Sequence, residues 1–202
     1  KNKPEIAVMN KKQQLRLVKY LDERPSVTSV GTAISMYMGL RIGEVCALQW
    51  KEIDLEKRVL TVSKTIQRVQ CRTGSKQTKL IITEPKSESS KRTIPIPDCL
   101  LPLLRRFKDN GEVYVVSGRK KPVEPRTMQY RFAKILHNAD LPSFHYHSLR
   151  HLFATRCVEL GFDVKTLSEI LGHSSVEVTL NRYIHSDMER KRTCMSLLSK
   201  CA

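Results

Sequence analysis

Residues 145–157 read HYHSLRHLFATRC, with three histidines and two arginines in thirteen residues. Leu149, Leu152, Phe153 and Ala154 lie among them. Read as a helix, the stretch places His147, Arg150 and His151 at i, i+3 and i+4, on one face. Leu149, Leu152 and Phe153 then anchor that helix in a core. Two imidazoles and a guanidinium packed beside a buried stripe need an explanation from the rest of the chain.

Working outward, helical patterns surround this stretch. A helix is expected from about Lys11 to Asp22, with Leu15, Val18 and Leu21 or Leu17 on its apolar face. Pro25 ends it and Ser26 caps the next helix, which runs to about Leu40 with Val27, Val30, Ile34, Tyr37 and Met38 on one side. IGEVCALQW gives a short third helix. Residues 58–97 then carry strand chemistry: RVLTVSKTIQRV, KLIITEPK and RTIPIP are β-branched runs separated by the polar loop CRTGSKQT and the turn SESSKR. They predict a small antiparallel sheet of three strands. After Asp98 the chain is helical again, with VYVVS a short strand or a buried connector. Further helices are expected after Pro125, through HSLRHLFATRCVELG, in VKTLSEILG behind the cap Asp163, in SSVEVTLNRYIH, and last in DMERKRTCMSLLSK. The fold class is α+β, mainly α-helical, with a small inserted sheet.

Composition narrows the function. Lys and Arg total 36 against 20 Asp and Glu, a formal net charge of +16. A folded chain this basic points to a polyanionic partner, nucleic acid above all. No apolar run reaches the roughly 18 residues of a membrane span, no single basic amphipathic helix dominates, and the N-terminal residues have no signal-peptide pattern. The six cysteines form no CxxC and no Cys/His ligand cluster, so they read as reduced, mostly buried thiols of an intracellular protein, without a zinc site.

Four polar clusters interrupt apolar patterns. Arg41 and Glu44 lie in GLRIGEVCALQW, where one helix gives way to another, and a buried Arg41–Glu44 pair there would fix the corner. Lys86 lies in EPKSESSKRTIPIP, at a strand end. HSLRH supplies His147, Arg150 and His151, and LGHSSVEVTLNRYIH supplies His173 with Tyr183 ten residues on. Singly, each has an ordinary explanation as a pair, a surface charge, a cap or a core aromatic. Together, in one basic domain, they are what phosphoryl transfer on DNA by a tyrosine needs. Two arginines grip the non-bridging oxygens of a phosphodiester and stabilise its pentacoordinate transition state. An imidazole takes the phenol proton, whose ordinary pKa is about 10. A lysine protonates the leaving 5′ oxygen. No metal is required if arginines supply the charge, and no carboxylate cluster suits Mg²⁺.

These four motifs, spanning residues 39–185, resemble the catalytic domain of the tyrosine recombinases, the integrases of phages and mobile elements. The hairpin and PKSESSKRTIPIP are most similar to integrases of conjugative transposons and phages of Gram-positive bacteria. The resemblance implies a site-specific DNA recombinase (an integrase) that cleaves and rejoins DNA through a covalent 3′-phosphotyrosine, without ATP or metal, to integrate or excise a mobile element. Arg41 and Arg150 would bind the scissile phosphate, Lys86 would act as general acid and His147 as general acid/base. His173 would hydrogen-bond the phosphate and Tyr183 would be the nucleophile, with Glu44 and His151 in support. No cofactor is implied. The implied partners are double-stranded DNA and further protomers in a tetrameric synapse, from a protein monomeric when free, bacterial and cytoplasmic, with no membrane. Residues 1–9 then read as a linker from an N-terminal core-binding domain, 10–185 as the catalytic domain, and 186–202 as a tail helix that packs in cis or docks on a neighbouring protomer. The competing readings are a type IB topoisomerase, which relaxes supercoils without exchanging partners, and a non-catalytic DNA-binding module.

Overall fold

The computed structural model describes residues 9–70, 78–84, 91–173 and 175–183, together with Arg192, Met195 and Ser196; for residues 180–183 it describes the backbone. Helix α1 (Lys11–Glu23) starts at Asn10 through a reciprocal cap. The Gln13 N–H donates to Asn10 Oδ1 at 3.0 Å and the Asn10 N–H donates to Gln13 Oε1 at 2.8 Å. Leu17 and Leu21, one turn apart, are buried, while Leu15 is exposed, contrary to the expected face. At about 100° per residue, Leu15 lies nearly opposite Leu17, so one helix cannot bury both against one neighbour. Leu15 instead walls a groove of about 710 Å³ shared with α2 and α6.

Helix α2 (Val27–Met38) is the centre of the molecule. The sequence predicts one apolar side, yet Ser29 through Met36 are all buried. Its buried hydroxyls are bonded: Ser29 Oγ donates to Arg24 O at 3.0 Å, Thr32 Oγ1 donates to Thr28 O at 2.9 Å, and Ser35 Oγ lies 2.8 Å from the Tyr146 hydroxyl. A helix whose polar side chains are short and already bonded can be buried on every side. Helices α1, α3 (Ile42–Ala47), α4 (Leu101–Phe107), α5 (Pro125–Asn138) and α6 (Ser148–Glu159) pack around it.

The strands are β1 (Ile53–Asp54), β2 (Val59–Val62), β3 (Thr65–Gln70), β4 (Thr78–Thr83) and β5 (Arg92–Pro95). The three-stranded antiparallel sheet is present, in the order β1–β2–β5, but its membership differs from the expected one. RVLTVSKTIQRV is two strands. The chain leaves the sheet at Ser63–Lys64, and β3 pairs with β4 alone, Thr65 opposite Thr83. The cause is packing: β3 lies across α3, so close that a Cβ on Gly43 would be 2.6 Å from Ile66 O. VYVVS is the buried connector, with the Val115 N–H donating to Leu48 O at 2.9 Å. Helices α7 (Val164–Leu171) and α8 (Val176–Tyr183) follow.

Cys46 and Cys157 are buried, and burial pushes the Cys46 thiol up to about 12. Cys99 departs from the expectation and is exposed. No helix among the described residues is long and apolar enough to cross a membrane. The CRTGSKQT loop up to Gln77, the hairpin turn with Lys86, residues 1–8 and most of the expected last helix lie outside the described residues.

Candidate functional site

Two helix ends build the site. Helices α2 and α7 both stop at a glycine in the left-handed conformation, Gly39 (φ +69°) and Gly172 (φ +63°). Both positions are also too close to neighbours for a side chain. A Cβ on Gly39 would lie 2.5 Å from the Phe153 ring, and one on Gly172 would lie 2.8 Å from Arg92 Nη1. The carbonyls presented by these turns receive the two arginines singled out from the sequence. Arg150 Nη1 donates to Gly39 O at 2.8 Å and its Nη2 donates to Leu171 O at 2.7 Å. Arg41 Nη2 donates to Gly172 O at 3.0 Å. Carbonyls at helix C-termini lack intrahelical partners and carry partial negative charge, so they suit guanidinium groups. Arg150 is 2% exposed and Arg41's side chain 38%. Arg41 therefore faces the solvent side of the corner and Arg150 its interior.

Glu44 locks this corner. The pair expected at the α3 start is present, with Arg41 Nη1 donating to Glu44 Oε1 at 2.8 Å and the Arg41 N–H to Oε2 at 2.9 Å. The sequence did not disclose the second cation. Arg92, on β5, donates from Nη1 to Oε1 at 3.1 Å, from Nη2 to Oε2 at 3.0 Å, and from Nε to Ile170 O at 2.6 Å. Burial pushes the Glu44 carboxyl up, but Arg92's hydrogen bonds and charge, joined by those of Arg41, outweigh it and hold the carboxyl below its usual value.

The histidines fall on either side. His147 occupies the position before α6 and is exposed; His151, one turn on, is buried, and their rings meet edge to face with centroids 4.7 Å apart. The α6 backbone links them to the corner, the Arg150 N–H donating to His147 O at 3.1 Å. His173 follows Gly172 directly and is buried, its Nδ1 2.7 Å from Thr179 Oγ1. That bond ties the end of α7 to α8 one turn before the Tyr183 backbone. His173 also lines a cavity of about 360 Å³ with Lys91, Arg92 and Lys165, where Glu169 is the lone acidic wall residue.

The structure thus brings together Arg41, Glu44, Arg150 and His173, with His147 and His151 one turn before or beside Arg150. Lys86 and the Tyr183 side chain lie outside the described residues. Among the described residues, no three His, Cys, Asp or Glu side chains converge as metal ligands. Two of the other tyrosines bear on the choice of nucleophile. Tyr130 is exposed on α5, and Tyr146 is buried, with its hydroxyl donating to Gly31 O at 3.0 Å and lying 2.8 Å from Ser35 Oγ. Burial pushes the Tyr146 phenol well above its ordinary value. Sequence reasoning missed Arg92 and Thr179. Arg92's one available signal was its place on the same strand face as the apolar Ile94.

A family model described as "Phage integrase family" matches residues 7–190. The chain belongs to this family. A tyrosine recombinase XerC-like protein of Caldanaerobacter subterraneus subsp. tengcongensis is 33% identical over 180 residues, covering 80% of this chain and 46% of that protein. The ICEBs1 integrase of Bacillus subtilis is 28% identical over 165 residues, covering 75% of this chain and 43% of that protein. Among solved structures, the Tn1549 transposon integrase in complex with a circular intermediate DNA is similar with a TM-score of 0.78 and 25% identity, over 98% of this chain and 67% of that chain. The integrase-family fold expected from the motifs is therefore the observed one. The chain spans about half the length of the curated relatives it matches.

Proposed function

We propose that the protein is a site-specific DNA recombinase that breaks and rejoins strands through a 3′-phosphotyrosine. The observation that carries this reading is the convergence of Arg41, Arg150 and His173 on the Gly39 and Leu171–Gly172 turns. A phosphodiester seated there meets the Arg41 guanidinium with that of Arg150 buried behind it, both oriented by backbone carbonyls before any DNA arrives, which suits charge developing on its equatorial oxygens. The Tyr183 phenol oxygen attacks phosphorus, and the bond to the 5′ oxygen breaks. His147 takes the phenol proton, and Lys86 supplies a proton to the departing 5′ oxygen. His173, held through Nδ1 by Thr179, donates from its other nitrogen to the phosphate. The ester to tyrosine conserves the phosphodiester's energy, so a 5′ hydroxyl from a partner strand reverses the step without ATP. The net charge of +16 supports extensive phosphate contacts and steep salt dependence.

In this reading residues 1–9 lead from a DNA-clamping domain, and the tail after residue 185 packs in cis or on a neighbour. The active assembly is a set of protomers on DNA in the bacterial cytoplasm. The test is covalent capture. Nicked duplexes with randomised sequence beside the nick are incubated with the protein in EDTA, so that a cleaved short fragment diffuses away. The expected result is a protein–DNA adduct with an enriched sequence, lost in Tyr183→Phe. An adduct that survives this substitution, or one that forms only with added metal ion, contradicts the reading.

A further inference from the structure

Arg92 lies in KRTIPIP, where β5 alternates, and it shares its face with the buried Ile94. Its side chain leaves the sheet to join three elements: β5 that carries it, α3 through both oxygens of Glu44, and the last turn of α7 through Ile170 O. Gly172 gives it room, since a Cβ there would meet Nη1 at 2.8 Å and Cζ at 3.1 Å. None of this is needed merely to cap α3. The Arg41 backbone N–H and Nη1 already satisfy one lone pair on each Glu44 oxygen.

What Arg92 changes is the net charge around Arg41 and the freedom of its fork. A carboxylate facing Arg41 alone would form a pair of zero net charge and could take both prongs of the Arg41 fork, the preferred bidentate geometry. Such a pair attracts a phosphate weakly. With Arg92 spanning both Glu44 oxygens, two guanidinium charges oppose one carboxylate and one positive charge remains. Arg41 then keeps a single Nη1 contact to Glu44 and directs Nη2 along Gly172 O.

We propose that Arg92 is a positioning residue for the reaction. By occupying the Glu44 carboxylate, it leaves the charge of Arg41 unneutralised and its fork aimed at the phosphate. This rests on the recombinase reading above, in which Arg41 binds the scissile phosphate. Arg92 acts through Glu44 and Arg41, so its effect belongs to the chemical step more than to DNA affinity.

The experiment uses the nicked duplex enriched by the wild-type protein. Failure of the wild type to capture any DNA would overturn the recombinase reading and this inference with it. Once a duplex is in hand, single-turnover adduct formation is measured at saturating DNA, with the half-saturating concentration measured beside it. Arg92→Met is expected to slow adduct formation by about 10- to 100-fold while changing half-saturation less than about threefold. Adding Glu44→Gln to Arg92→Met removes the carboxylate that captures Arg41, and is expected to recover about tenfold of the loss. A double variant no faster than Arg92→Met makes Arg92 merely structural and overturns the proposal. Should Arg92→Met fail to fold, as read by circular dichroism, Arg92→Lys decides. An ammonium keeps the charge but cannot span both oxygens, so a rate about fivefold or more below wild type is expected. A wild-type rate in Arg92→Lys overturns the proposal.

Discussion

Two groups of ion pairs in this protein set arginine against a carboxylate in opposite surroundings. At the Arg41 corner, Glu44 and Arg92 are 5% and 7% exposed and share hydrogen bonds with backbone from α3 and α7. At the start of the first sheet, Arg58 and Asp98 also meet at 2.9 Å, but they are 57% and 82% exposed. The short distances are alike, and their consequences are not. Water screens the exposed pair, and its partners lose side-chain entropy to meet, so such pairs contribute about 0–1 kcal/mol. Removing Glu44 from the corner leaves the buried Arg92 and its neighbour Arg41 without a counter-charge, which costs about 3–5 kcal/mol. Position in the fold, not the presence of an ion pair, separates a device for orientation from a decoration of the surface.

The sharpest way to break this contrast is Glu44→Ala, which leaves Arg41 and Arg92 facing each other without a counter-charge. Urea unfolding should show a loss of about 3–5 kcal/mol. The pH dependence has a definite sign. Glu44's folded carboxyl is held below its usual value, so its contribution is fully present above the ordinary carboxylate pKa of about 4.3 and is lost as pH falls through the lower folded value. The stability gap between wild type and Glu44→Gln should therefore be widest near neutrality and shrink in acid. A gap that widens in acid would contradict the Arg92–Glu44 geometry. A smaller effect is expected for Gly172→Ala. A left-handed residue with a Cβ costs about 1–2 kcal/mol, and the new Cβ would press on Arg92, so adduct formation should fall more steeply than stability. Smallest of all, Arg58→Ala should leave the melting temperature nearly unchanged, and any difference should vanish in high salt.

The same contrast explains what could be read from the sequence. Arg41, Glu44, Arg150 and His151 stood out because each is a polar residue set in an apolar helical pattern, and it was their combination and the family resemblance that grouped them in one site. Arg92 did not, because Lys91, Arg92 and Thr93 in a strand look like a solvated edge. Only the approach of Gly172 and Glu44 from two distant segments makes the position buried. Thr179 was missed for a similar reason, a small hydroxyl on α8 whose partner His173 is placed by the glycine turn. The helices were legible from caps and periodicity. The burial of α2 on every side was not, since Ser29, Thr32 and Ser35 mimic a polar face until their hydroxyls are seen bonded inside the core. The split between β2 and β3 was also hidden, because a continuous β-branched run does not reveal where a strand abandons one sheet to cover a helix.

Identifying the tyrosine that carries DNA decides the proposed chemistry. The covalent adduct is digested with protease and nuclease, and the peptide bearing the residual nucleotide is sequenced by mass spectrometry. The modification is expected on Tyr183 alone, at the end of α8. Tyr146 is closed to DNA by the core around its hydroxyl. A nucleotide on the exposed Tyr130, or on any side chain other than Tyr183, would contradict the proposed chemistry.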